Sequence, residues 1–269
     1  MRVLIISDME GVAGITRWQQ VTGGDPMYET GQRLYTEEIN AAVRGAFDGG
    51  ATEVVVMDCH GAGKDWSFNS LVPDMLDERC EFVVQNSWTE YTKVLEDGCD
   101  AALFVAMHAL AGTPDGTLSH TVSSTRWRNL RFNGTVVGET GINAALCGTW
   151  GTPVLMVTGD RATCAEAQKL LGQELITVAV KDAFGRYSAR HVAPLKARKL
   201  IEEAAHRAVS QPPRVSPYDP GKPCEIQVDL ADAEDAAAYR NRPGIRIQDS
   251  RTISCTADDW WSAWKQVYL

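Results

Sequence analysis

The chain has 269 residues, of which 44% are apolar and 23% are charged, a composition typical of a soluble globular protein with a substantial core. Its 26 lysine and arginine residues face 35 aspartate and glutamate residues, which gives a formal net charge of −9. This acidic balance argues against nucleic-acid binding and against adsorption to anionic membranes. The sequence contains no apolar run long enough for a membrane span, and its start, MRVLIISDMEG, has an acid where a signal peptide would be apolar. We therefore expect a cytoplasmic protein.

Patterns typical of buried strands and of helices alternate along the first two hundred or so residues. The run RVLIIS is continuously aliphatic, as in a strand buried on both faces of a parallel sheet. A helical pattern, YTEEINAAVRGAFDGG, separates it from the next run, EVVVMD. Later strand patterns are CEFVVQNS, CDAALFVAMHA, TPVLMVTGD and ELITVAVKDAFG. Later helix patterns are SWTEYTKVLEDG, RATCAEAQKLLG and PLKARKLIEEAAHRAV, and TVVGETGINAALCGTWG is predicted as a turn entering a helix. This alternation predicts an α/β fold with a mainly parallel sheet and helices on both faces.

A proline-rich stretch, SQPPRVSPYDPGKP, is the one credible linker, because its prolines cannot continue a helix or lie in a central strand. We therefore divide the chain into an α/β domain, residues 1–210, and a small C-terminal α+β extension, residues 211–269. The extension is predicted to contain the strand CEIQVDL, the helix DAEDAAAYR, one strand in GIRIQDSRTISC and a tryptophan-rich terminal helix. Because about sixty residues are marginal as an independent fold, we expect the extension to pack on the main domain or at a subunit contact.

Acids and histidines follow three of the predicted strands. Asp8 and Glu10 lie two residues apart after the first strand, so both carboxylates point to the same side. His60 ends the second strand and His108 ends the strand ALFVAM. Alone, each of these residues is more often a salt-bridged or structural side chain than a ligand. Because the carboxyl ends of parallel strands share one edge, however, the sequence predicts that all four side chains converge there.

Two imidazoles and two carboxylates suit a catalytic metal ion, with Zn²⁺ as the first choice and Mn²⁺ or Co²⁺ as alternatives. The seven cysteines are scattered without a CxxC pair, so neither a disulfide framework nor a cysteine-type zinc site is indicated.

Two further polar residues occupy special positions. Glu139 lies between glycines in VVGETG, where it is either a carboxylate stabilised at a helix N-terminus or another ligand. His120 lies in the loop GTLSHTVSS, where it is either bonded to a neighbouring hydroxyl or part of the site. By contrast, His191 and His206, in or beside the amphipathic helix, are predicted to be solvated.

Five separated motifs, SDMEG, DCHG, MHA, LSHT and NGTVVGETG, occur in the order found in a known family. They resemble the zinc-dependent D-aminopeptidases of bacterial dipeptide-permease operons, and the likeness continues through VLMVTGD and AVKDAFGR, over about the first two hundred residues. The resemblance implies a homo-oligomer, a decamer in the family, that acts on short peptides. It implies a catalytic role for His120, the only histidine in its loop, and two zinc ions per chain with Asp8 as the bridging ligand. The ligands that it implies are Asp8, Glu10, His60, His108 and Glu139.

The function expected from the resemblance is hydrolysis of the peptide bond after an N-terminal, D-configured residue, with His120 as general acid and base or as a stabiliser of the tetrahedral intermediate. One alternative is a dinuclear phosphoesterase, for which Arg126, Arg128 and Arg131 would supply a phosphate site. Another is a non-catalytic peptide-binding protein, in which the acids and histidines satisfy one another.

Overall fold

A mainly parallel sheet forms the centre of the computed structural model, which describes residues 1–85 and 92–268. Within those residues the strand order is β3-β2-β1-β4-β7-β8-β9, and every neighbouring pair is parallel except β8 and β9. The strands are β1 (Arg2–Ser7), β2 (Glu53–Asp58), β3 (Glu81–Val83), β4 (Ala101–Met107), β7 (Val154–Asp160), β8 (Ile176–Gly185) and β9 (Ser188–His191). The predicted parallel α/β sheet is therefore confirmed.

Both faces of this sheet are covered, since alternate residues of β1 enter two different cores. Val3 and Ile5 pack with apolar residues of α1 (Tyr28–Asp48) and α5 (Pro194–Ser210). Leu4 and Ile6 enter the core on the opposite face. Helices that contribute to that second core include α3 (Glu139–Thr149), α4 (Arg161–Leu171), α6 (Ala233–Ala237) and α7 (Trp260–Tyr268).

A second, antiparallel sheet also packs into this opposite core. Its order in the described residues is β11-β12-β10-β5-β6. Two of these strands precede residue 210 and three follow it, so the sheet draws on both sides of the predicted linker. The strands are β5 (Trp127–Phe132), β6 (Thr135–Val137), β10 (Cys224–Leu230), β11 (Ile245–Ile247) and β12 (Thr252–Ala257).

Several elements differ from the sequence-based expectation. The segment GIRIQDSRTISC forms two antiparallel strands, β11 and β12, because Asp249 accepts hydrogen bonds from the backbone of Arg251 and Thr252 and turns the chain. Strand β9, which was not predicted, returns antiparallel to β8 as a hairpin. Strands β5 and β6 were not predicted either, and the segment TVV, interpreted from the sequence as part of a turn, forms β6. The predicted helix SWTEYTKVLEDG lies partly outside the described residues, and its described part contains α2 (Lys93–Glu96).

In the described residues, no helix is both long and apolar enough to cross a membrane. The strands that matter for the site are β2, β1 and β4, which are adjacent and parallel. Their carboxyl ends, and hence the residues that follow them, lie together at one edge of the sheet.

Candidate metal centre

The candidate site is a buried cluster of carboxylates and imidazoles at this edge of the sheet. Asp8 and Glu10 follow β1, His60 is the second residue after β2, and His108 follows β4 directly. All four are at most 3% exposed. Glu139, the first residue of α3, completes the cluster, so the structure brings together every residue for which a ligand role was predicted.

Asp8 lies in the middle of the cluster, with one oxygen directed to each imidazole. Its Oδ1 lies 3.2 Å from Nδ1 of His60, and its Oδ2 lies 3.2 Å from Nε2 of His108. A second carboxylate faces each of these nitrogens, Glu10 Oε2 at 3.3 Å from His60 and Glu139 Oε1 at 3.3 Å from His108. The cluster therefore consists of two half-sites, each with one imidazole and one carboxylate of its own, which share Asp8.

Backbone carbonyl groups fix the orientation of both imidazoles. Nε2 of His60 lies 2.7 Å from the carbonyl oxygen of Val21, and Nδ1 of His108 lies 3.0 Å from that of Ala109. A ring nitrogen that faces a carbonyl oxygen carries the proton, so in the neutral ring the other nitrogen directs its lone pair at the carboxylates. This second hydrogen bond on a histidine is characteristic of metal ligands.

Two atoms at the centre of the cluster are buried without a hydrogen-bond partner in the described protein, Oε2 of Glu10 and Nε2 of His108. Buried polar atoms are normally paired, so an unpaired acceptor in each half-site calls for an additional positive group. Nitrogen and oxygen donors without thiolate form the type of ligand set that catalytic zinc uses. The residues present therefore fit zinc.

The charges of the cluster also favour bound cations. Burial would raise the pKa of Asp8, but His108 and His60 outweigh it and hold that pKa well below its usual range. Conversely, burial would lower the pKa of His60, but Glu10 and Asp8 raise it well above its usual range. The Asp8 carboxylate thus remains ionised and attracts positive charge, which bound cations can provide.

A local irregularity in β4 helps to position His108. Ala106 has a φ of 64°, in the left-handed region, and the pairing of β4 with β7 shifts register between Phe104 and Met107. The Ala106 amide donates to Oγ1 of Thr158, and its carbonyl oxygen accepts from the Gly11 amide. Such irregularities next to active sites redirect side chains, here by changing the direction of the chain immediately before His108.

Gly138, the residue before Glu139, allows the start of α3 to lie close to Leu110. A Cβ atom on Gly138 would lie 2.8 Å from Cβ of Leu110, so a larger residue would push the start of α3 away from the site. Oε1 of Glu139 also accepts a hydrogen bond from the Val122 amide at 2.8 Å, which ties the carboxylate to the loop that contains His120.

His120 lies against the half-site of His108. The two imidazoles stack with centroids 4.0 Å apart and planes inclined by 12°, and Nε2 of His120 lies 3.6 Å from Oε1 of Glu139. Nδ1 of His120 lies 2.9 Å from the carbonyl oxygen of Leu118, so Nε2 is the nitrogen available to accept a proton. Burial and His108 lower the pKa of His120.

Other residues line the site without having been predicted. The cluster borders a pocket of about 60 Å³ whose walls include Asn143, Trp264 and Tyr268. Oδ1 of Asn143 is buried and has no hydrogen-bond partner in the described residues. The spacing could have indicated Asn143, since it follows Glu139 by four residues on one helix face, whereas no local pattern links α7 to the site.

His191 does not fit the expectation of a solvated side chain. It is half-buried at the end of β9, and its Nδ1 accepts a hydrogen bond from the Gly14 amide at 2.9 Å. The unpredicted hairpin of β8 and β9 brings it to the loop after β1.

The structure does not favour the phosphoesterase alternative. Two of the three arginines suggested for a phosphate site form ion pairs with the C-terminal extension, Arg126 with Asp235 and Arg131 with Asp229. A phosphate cluster of all three arginines would require both pairs to break.

A buried set of nitrogen and oxygen donors at the carboxyl edge of a mainly parallel α/β sheet is an arrangement that metal-dependent enzymes use. The chain belongs to the D-aminopeptidase family, peptidase family M55, whose profile matches residues 1–268. It is 31% identical over 272 residues to a D-aminopeptidase of Bacillus subtilis strain 168, with 100% of this chain and 96% of that protein covered.

A solved structure is similar throughout its length. It is described as the Zn-dependent D-aminopeptidase DppA from Bacillus subtilis, a self-compartmentalizing protease, and it matches with a TM-score of 0.91 and 31% identity over 99% of this chain and 95% of that chain. The likeness therefore includes the C-terminal extension and is not limited to the first two hundred or so residues, as the motifs alone had suggested.

Proposed function

We propose that this protein is a zinc-dependent aminopeptidase that removes an N-terminal D-amino acid from short peptides. The observation that carries the proposal is the pair of half-sites that share Asp8, in a chain of the D-aminopeptidase family. The relative of known structure is described as Zn-dependent, which supports zinc as the metal.

We propose two zinc ions per chain, one in each half-site. Asp8, Glu10 and His60 would hold the first, and Asp8, His108 and Glu139 the second, because their ligand atoms face one another at 3.2–3.3 Å. When bound, such a pair supplies a Lewis acid for the scissile carbonyl and a water molecule with a lowered pKa.

The protein's own residues would then transfer protons and hold the substrate. His120 directs Nε2 to the site and would accept a proton from the attacking water and later deliver it to the leaving amine. Oδ1 of Asn143 is an unused buried acceptor on the pocket wall and would receive a hydrogen bond from the substrate's N-terminal amine.

The two parts of the chain would have different roles, and the protein would form an assembly. Residues 1–210 would form the catalytic domain, and residues 211–269 an extension that supplies part of the pocket wall through Trp264 and Tyr268. The protein would be cytoplasmic and assemble into a homo-oligomer, with a decamer as the proposed size. The relative's description as self-compartmentalizing supports assembly, as do the exposed aromatic side chains of Phe184 and Tyr187.

The test is release of D-alanine from D-Ala-D-Ala by zinc-loaded protein, with L-Ala-L-Ala, an aryl phosphate and a chelator-treated sample measured in parallel. We expect turnover of the D-peptide alone and its loss after chelation. Cleavage of the L-peptide instead would overturn the stereochemical part of the proposal. Turnover of the aryl phosphate alone would replace the peptidase by the phosphoesterase, and tight peptide binding without turnover would indicate a binding protein.

A further inference from the structure

A second cavity adjoins the pocket of the candidate metal centre. That pocket, at about 60 Å³, is much smaller than the roughly 300–1,000 Å³ typical of ligand pockets, so it cannot enclose a peptide. The adjoining cleft has about 460 Å³, and His120 lines both cavities. A substrate whose scissile bond lies next to His120 therefore extends into this cleft.

The cleft is basic, although the chain as a whole is acidic. Its described lining includes two arginines, Arg128 and Arg186, and neither aspartate nor glutamate. In a protein with a net charge of −9, such a lining favours an anionic group next to the reaction centre.

Arg186 is held beside His120 by its surroundings. Its guanidinium carbon lies 5.5 Å from the ring centroid of Trp18, and the Trp18 ring in turn lies edge-on to His120 with centroids 5.4 Å apart. The backbone carbonyl oxygen of Arg186 accepts a hydrogen bond from the Leu118 amide, two residues before His120. This hydrogen bond attaches the hairpin of β8 and β9 to the loop that contains His120.

Arg186 lines the cleft, and its guanidinium has a donor that no described residue uses. Nε of Arg186 is buried and has no hydrogen-bond partner in the described residues. Asp182, the acid on the same hairpin, pairs with Arg161 and Arg190 instead. Arg186 is therefore held beside His120, and Asp182 does not neutralise its charge.

We propose that Arg186 binds the C-terminal carboxylate of a short peptide substrate, on the leaving-group side of the scissile bond. The inference rests on the proposed aminopeptidase function and extends it to the substrate class, peptides short enough for their free carboxylate to reach the cleft. A planar guanidinium suits this role because it binds carboxylates through two parallel hydrogen bonds.

The experiment compares hydrolysis of D-Ala-D-Ala with that of its C-terminal amide, D-alanyl-D-alaninamide, by the zinc-loaded full chain. We expect the wild type to prefer the free acid by roughly 10- to 100-fold in kcat/KM, the range for hydrogen bonds to a charged group. Arg186→Gln should bring this ratio close to one, and Arg186→Lys, which keeps the charge without the planar fork, should give an intermediate ratio. Arg190→Gln is the matched control, because Arg190 is an exposed arginine of the same hairpin that pairs with Asp182.

A wild-type ratio near one, or an unchanged ratio in Arg186→Gln, would overturn the proposal, as would loss of the preference in the Arg190 control. Failure of the aminopeptidase function itself would appear differently, as a wild type that hydrolyses neither peptide. Calorimetric titration of both peptides into wild-type protein and Arg186→Gln then decides the question by binding alone. Tighter binding of the acid that disappears in the variant supports the carboxylate site, and equal binding of acid and amide rejects it.

Discussion

Lys181 and Glu10 lie 171 residues apart in the chain, yet the Lys181 ammonium group donates a hydrogen bond to the Glu10 backbone carbonyl at 2.5 Å. The same ammonium donates to the carbonyl oxygens of Val12 and Ile15 at 3.0 and 2.8 Å. A single buried side chain of β8 thus holds the loop that starts at the proposed ligand Glu10, and it uses all three of its donors to do so.

Lys181→Met should destabilise the protein, since it leaves three carbonyl groups of this loop without their donor. We expect a loss of at least about 3 kcal/mol in the free energy of unfolding, measured by urea denaturation, together with weaker zinc binding. Lys169→Met on the exposed side of α4 is the control and should change little. Equal urea midpoints for Lys181→Met and the wild type would show that the loop does not depend on this lysine.

Zinc stoichiometry tests the shared role of Asp8. Asp8→Ala removes the proposed shared ligand of both half-sites, so both proposed metals and the activity should be lost together. His60→Ala and His108→Ala each remove an imidazole from one half-site and should each retain one of the two metals. Metal analysis after gel filtration measures this directly, and full zinc content in Asp8→Ala would contradict a bridging carboxylate.

His120→Ala separates catalysis from metal binding. Because His120 is proposed to transfer protons and not to hold metal, we expect kcat to fall by about 10²- to 10⁴-fold with unchanged zinc content. Loss of one zinc ion in this variant would instead assign His120 to the ligands of the His108 half-site.

Trp264 contributes both to the stability of the fold and to the wall of the pocket. It is 0% exposed, packs edge-on against Trp127 and Phe132 and lines the site. Trp264→Ala should lower the free energy of unfolding by about 3–5 kcal/mol. Leu195→Ala, at a side chain that is 73% exposed, is the control and should stay within about 0.5 kcal/mol of the wild type.

His191 should make stability depend on pH. Burial, with a contribution from Lys181, lowers its pKa to about 4, whereas an unfolded histidine titrates near 6.5. Between about pH 6.5 and 4, His191 is therefore protonated in the unfolded chain but remains neutral in the folded protein. The free energy of unfolding should decrease as the pH falls through this range. Because the ring is partly exposed to solvent, we expect about 1–2 kcal/mol from this group.

His191→Asn is the informative variant for this effect, because its amide oxygen can accept the Gly14 hydrogen bond without titrating. Urea denaturation at several pH values should show a smaller decrease in the variant than in the wild type. Parallel pH profiles for the two proteins would contradict the role of His191.

The alternating patterns predicted the sheet and the convergence of Asp8, His60 and His108, because buried parallel strands have a local signature and their carboxyl ends share an edge. Other features depend on contacts between distant segments. No local pattern could place Lys181 under the loop at Glu10, or Arg186 beside His120. The β8–β9 hairpin was missed because Ser188–His191 is only four residues long and has no continuous apolar run. The metal roles of the cluster remain predictions that the zinc measurements test.

The contribution of α7 to the pocket has an evolutionary consequence. The proposed metal ligands follow strands of the main sheet or begin α3, whereas Trp264 and Tyr268 on the wall belong to the last helix. A substitution at Tyr268, which is less buried than Trp264, would reshape the space beside the reaction centre without removing a proposed ligand. Relatives can therefore acquire new side-chain preferences through changes at this position, and libraries designed to change selectivity should begin there, because Trp264 also supports the core.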